Sequence, residues 1–68
     1  MGETFIPRST NIGEVVFDAG TLTVTFKNGD QWQYSGVPAE VYAAFQRAPS
    51  AGSFFFRQIR GRYPGTQV

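Results

Sequence analysis

The chain contains no cysteine and no histidine. The first absence excludes a disulfide framework and any thiolate nucleophile, and it fits a reducing compartment. Together the two remove the usual zinc and soft-metal ligands and the side chains that serve as bases or soft nucleophiles near neutral pH. No apolar run approaches the roughly 20 residues that a membrane-spanning helix needs. The N-terminus lacks the charged-then-apolar pattern of a signal peptide. There is no internal repeat and no low-complexity tract. One further absence is local. Residues 46–68 have no acid but four arginines (Arg47, Arg57, Arg60, Arg62), a net of +4, whereas residues 1–45 set two bases against five acids, a net of −3. The whole-chain charge of +1 conceals this division.

What is present is aromatic. Seven Phe, three Tyr and one Trp in 68 residues supply the dense packing that so small a domain requires. The length suits a single domain over residues 1–68, with a core of about 5–63 and a tail at 64–68. Residues 4–12 read as an extended lead-in, confined to an edge by Pro7, which has no N–H for a ladder. Residues 14–18 form a short strand with Val15 and Phe17 on one face, and Ala19-Gly20 is a turn. Residues 21–27 alternate: Thr21, Thr23 and Thr25 face one way, Leu22, Val24 and Phe26 the other. Asn28-Gly29 is a hairpin signal in which both turn positions favour positive φ. Residues 30–35 follow as a strand with Trp32 and Tyr34 on one face, Gln31 and Gln33 on the other.

The period then changes. Pro38 and Glu40 suit the first turn of a helix. Val41, Ala44, Phe45 and Ala48 fall at helical spacing as its apolar stripe, and Pro49 ends it. Ser50 is placed to cap a second helix that buries Phe55 and Ile59, with Phe56 as a possible third member of that face, sets Arg57 and Arg60 on another face, and stops at Gly61. The expectation is an α+β fold: a three-stranded antiparallel β-meander with a possible fourth edge segment, and two short C-terminal helices packed on one face. Trp32, Tyr34, Phe26, Phe45 and Phe55 are its core, and residues 64–68 a frayed tail.

An ordered set of short motifs runs through the chain. It reads Ser9-Thr10-Asn11-Ile12, Phe26-Lys27-Asn28-Gly29, Trp32 with Tyr34, Val37-Pro38-Ala39-Glu40-Val41-Tyr42-Ala43-Ala44-Phe45, Ala48-Pro49-Ser50-Ala51-Gly52, and Phe55 to Ile59 and Tyr63. This set resembles the KTSC domain family, which takes its name from a segment at the C-terminal end of some lysyl-tRNA synthetases and includes short free-standing bacterial and phage proteins. The resemblance covers about residues 5–64. It implies proximity to RNA and offers no catalytic residue to carry over. One departure is the run Phe54-Phe55-Phe56, where family members often have a small or polar neighbour; a helix hides three consecutive apolar residues poorly, so one of them is expected to be exposed.

Function is expected to be non-catalytic binding. The five carboxylates are dispersed rather than paired, and the serines have no partner base. No cofactor, metal or small-molecule substrate is expected. The first candidate site is Arg47, Arg57, Arg60, Arg62 and Tyr63: arginine grips phosphate with two parallel bonds and stacks on bases, and Tyr63, Phe54 or Trp32 offers stacking to a single strand of RNA. Against it stands the plain reading of a solvated helix face set against its dipole. The alternative is a phage or bacterial adaptor that docks on a host protein through Phe54 or Phe56, since large aromatics dominate binding hot spots. A chain that opens at Met1 and runs 68 residues would stand alone, without a synthetase, in the cytoplasm of a bacterium or phage-infected host. The flat Thr21, Thr23, Thr25, Gln31, Gln33 face is a further candidate, either ordinary solvated sheet or a docking surface that works by strand addition.

Overall fold

The computed structural model describes residues 2–68. Five strands form one antiparallel sheet in chain order: β1 (Glu3–Phe5), β2 (Ile12–Asp18), β3 (Thr21–Phe26), β4 (Gln31–Tyr34) and β5 (Gly65–Gln67). Helices α1 (Ala39–Arg47) and α2 (Ala51–Phe54) lie between β4 and β5, and α2 continues directly into a π-helical turn, Phe55–Ile59. The α+β class and the central meander are as expected. Strand number is corrected at both ends. The lead-in pairs with β2 as an edge strand, Phe5 opposite Val15, and ends before Pro7. The tail is no frayed end: Trp32 pairs with Gln67 and Tyr34 with Gly65, and the Val68 N–H donates to the Gln31 carbonyl at 2.9 Å.

Alternation decides the faces. Residues directly opposite in neighbouring strands share a face, so Phe5, Val15, Val24 and Trp32 form one row on the helix side. Leu22, Phe17 and Tyr34 form the next. The other side carries Thr4, Val16, Thr23, Gln33 and Thr66 in register, with Gln31 donating to the Thr25 hydroxyl at 3.0 Å. A bulge between Ile12 and Glu14 resets the pleat, so Ile12 and Val15, three apart, both enter the core.

Two turns refine the expectations. Ala19 (φ 50) and Gly20 (φ 83) both have positive φ, the pattern of a type I′ hairpin. At Asn28-Gly29 the hairpin forms, but only Gly29 (φ 99) is left-handed. The Gly29 N–H donates to the Phe26 carbonyl and the Phe26 N–H to the Asp30 carbonyl, closing a three-residue loop in which the Asn28 side-chain oxygen accepts the Asp30 N–H at 3.0 Å.

The core lies between the sheet and the helices. Tyr34, Phe45 and Phe55 are buried as expected, while Phe26 and Trp32 are half-buried against them. The α1 stripe is rotated from the expected one: Tyr42 and Phe45 are buried, and Val41, Ala44 and Ala48 only partly so. Tyr42 stacks on Phe17 at 4.8 Å and meets the edge of Phe5 at 5.6 Å, so β1 supplies the cover that makes this position internal. Pro38 stands at the N-cap, one residue earlier than its usual place. Ser50 caps α2, its hydroxyl accepting the Ser53 N–H at 3.3 Å.

Candidate nucleic-acid interface

The π-helical turn arranges the candidate site. The Arg60 N–H donates to the Phe55 carbonyl, five residues back, at 2.9 Å. This wider turn sets Phe55 and Ile59 together into the core and leaves Phe56, between them, 55% exposed. Arg60 then leaves the helix with extended backbone (φ −62, ψ 125). Its guanidinium comes to rest over the Phe56 ring, 5.2 Å from the centroid. Gly61 (φ 84) turns the chain back, and the Tyr63 N–H donates to the Ile59 carbonyl. Of the Phe54–Phe56 run, Phe56 is therefore the exposed member. Phe54 is half-buried and stacked on Phe45 at 5.3 Å.

Phe56 stands as a ridge among three grooves. The largest, about 480 Å³, has aromatic walls (Trp32, Tyr34, Phe26 and Tyr63 beside Phe55 and Phe56) with Arg60 and Asp30 as its charged groups. A second, about 340 Å³, runs between Phe56 and the Asn28 hairpin and is lined by Lys27 and Asn11. A third, about 400 Å³, lies toward Arg8 and Ser53. Burial pushes the Tyr34 phenol above the usual tyrosine range, and the Arg60 charge beside it pulls it partly back. Ser9 is a turn residue here; its hydroxyl accepts the Asn11 and Ile12 N–H groups, both at 3.1 Å, and so shapes the loop that leads into β2.

The arginines do not form one cluster. Arg57 and Arg60 were expected to share a helix face, but the π turn and the chain exit separate them. Arg57 donates through Nε to the Ser53 carbonyl at 3.4 Å and lines, with Arg47, Ser50 and Phe54, a different groove of about 380 Å³ between the two helices. Arg60 and Tyr63 join Trp32 in the aromatic groove. Arg62 is exposed and lines neither groove. Sequence reasoning missed Arg8, Lys27 and Asp30. The Asn28-Gly29 hairpin signal announced a loop carrying Lys27 and Asp30 but not its position beside Phe56. Among the described residues no group of three or more Asp or Glu could hold a metal ion, and no helix is long and apolar enough to cross a membrane.

A five-stranded antiparallel sheet with two helices on one face defines a small α+β domain, and its exposed, cation-flanked aromatic gives one face a mixed aromatic and basic character. The KTSC domain family model matches residues 8–63, and the chain belongs to that family. A lysine–tRNA ligase of Trichormus variabilis is 35% identical over 48 residues, 71% of this chain. The match spans 9% of that ligase's length. The crystal structure of a KTSC domain protein from Yersinia pestis superposes with a TM-score of 0.88 at 27% identity, over 100% of this chain and 99% of the other.

Proposed function

We propose that the domain is a non-catalytic module that binds single-stranded RNA on the Phe56 face. The observation that carries this reading is the exposed Phe56 ring with Arg60 against it and Lys27 and Arg8 in the adjoining grooves. Single-strand binders combine such a stacking surface with cations that track the backbone. Arg47 and Arg57 offer a second phosphate contact in the groove between the helices. The similarity to a protein named as a lysine–tRNA ligase supports an RNA setting, and the reading implies a cytoplasmic protein.

The test is titration of a fluorescent single-stranded 12-mer RNA at 50 and 150 mM salt. Removing one stacking partner costs about 1–3 kcal/mol per base, so Phe56→Ala is expected to weaken binding roughly tenfold. Each phosphate contact to a single strand adds about 0.7 to the salt slope, so Arg57→Ala with Arg60→Ala is expected to reduce that slope by about 1.4 and weaken all sequences alike. Unchanged affinity in both variants would refute the reading. A second reading, docking on a host protein, draws on the same exposed Phe56 as an anchor. It predicts that a protein partner retained by the native domain is lost with Phe56→Ala and kept with Arg57→Ala and Arg60→Ala together.

A further inference from the structure

The aromatic groove contains one feature that a phosphate-tracking surface does not explain. Asp30 is acidic, yet it lines the same groove as Arg60, Phe56, Trp32 and Tyr63. Its backbone is fixed by the hairpin. Its carbonyl accepts the Phe26 N–H at 2.8 Å, its N–H donates to the Asn28 side-chain oxygen at 3.0 Å, and the Asn28 amide donates to one carboxylate oxygen at a long 3.4 Å. Among the described residues that leaves the second carboxylate oxygen, and most of the acceptor capacity of the first, without a partner. A carboxylate repels phosphate. It welcomes N–H donors.

Resting on the RNA reading above, we infer that this groove takes a guanine base of the single strand, with Asp30 as the residue that selects it. The reason is the pattern of donors on the base edges. Guanine presents N1–H and N2–H side by side, spaced to meet the two oxygens of one carboxylate in parallel. Uracil presents a single N–H between two carbonyl oxygens, which a carboxylate repels. Adenine and cytosine present an amino group next to a bare ring nitrogen, one donor beside one acceptor. The ring faces of Trp32, Tyr63 and Phe56 serve any base, because every base has a π-face. Arg60, at the same groove, meets the phosphate of the stacked nucleotide. Aromatic walls therefore supply affinity, and Asp30 supplies choice.

The experiment uses the full chain and four RNA hexamers: all-uridine, and all-uridine with a single central G, A or inosine. Binding is read from the fluorescence of Trp32, the sole tryptophan, which lines the groove. The G hexamer is expected to bind about tenfold tighter than the U hexamer, in the range that one bidentate base contact commonly gives. Inosine, which keeps N1–H and lacks the N2 amine, falls between them. Asp30→Asn is expected to abolish the G preference, lowering the affinity for the G hexamer and leaving the U hexamer bound no more weakly than by the native chain, because the charge that repels the uracil oxygens is gone. Equal affinities for G, A and U, or a G preference that survives Asp30→Asn, would overturn the assignment while leaving RNA binding standing. No binding of any hexamer would overturn both. GMP alone binding as tightly as the G hexamer would refute the strand in favour of a free nucleotide.

Discussion

Replacing Tyr42 with Phe should make this protein more stable. The ring of Tyr42 is 3% exposed, stacked on Phe17 at 4.8 Å with the planes 12° apart, and edged by Phe5. Its hydroxyl is buried and has no hydrogen-bond partner among the described residues. Folding thus strips this group of its water and returns nothing. The penalty for such a group is about 1–3 kcal/mol, while phenylalanine retains the ring and its packing and leaves no large cavity. Taking the lower end, the gain is about 1 kcal/mol. For a domain of this size that raises Tm by about 4–8 °C, or the urea midpoint by roughly 1 M when m is about 1 kcal/mol per M.

The same variant has a pH signature. Burial, and secondarily the Glu3 charge, raise the Tyr42 phenol above the ordinary value of 10.0. Below pH 10 the folded and unfolded chains both hold this proton, so stability does not depend on it. As pH rises through 10 the unfolded chain releases the proton first, and stability falls until the folded value is reached. Tyr42→Phe removes this loss, so its advantage over the native chain should widen above pH 10. Urea denaturation at pH 7 and at pH 10.5 measures both effects. A midpoint for Tyr42→Phe at or below the native one at pH 7 would refute the reasoning, because it would mean that the hydroxyl is bonded in the folded state.

Three further outcomes follow from the geometry. A Cβ at Gly65 would lie 2.5 Å from Tyr34 Cε1 and 2.9 Å from Cδ1, and Tyr34 is held in turn against Phe55, so Gly65→Ala should cost about 1–3 kcal/mol. Its cheapest relief is release of β5, visible as faster hydrogen exchange at the Val68 amide; an unchanged rate together with unchanged stability would contradict this. Ala19 sits at φ 50 without the local hydrogen bonding that lets Asn adopt this conformation, so Ala19→Asn should stabilise the hairpin by about 0.5–1 kcal/mol in thermal unfolding. With Tyr34 also raised by burial, tyrosine absorbance at 295 nm should show late-titrating phenols in the folded chain that move back toward pH 10 in denaturant.

Local chemistry was legible in the residues themselves. The Thr/Leu/Val/Phe alternation of β3 places its side chains on two faces in any sheet, Ser50 caps whatever helix follows it, and Asn28-Gly29 bends the chain. These properties depend on a few neighbouring residues, so the meander, the two helices and the family motifs could be read without a structure. What needed the tertiary structure was whatever depends on partners distant in sequence. Gly65–Gln67 is polar, exposed and short, and it is a strand only because β4 offers an open edge. Tyr42 is internal only because Phe5 and Phe17 cover it. The arginines looked like one group along the chain, but a single widened turn at Phe55–Ile59 sends Arg57 to Arg47 and Arg60 onto Phe56. Lys27 and Asp30 belong to this site because a β-hairpin folds back beside a helix some 25 residues later in the chain. Periodicity fixes which face a side chain takes within its own element; only packing decides which faces meet.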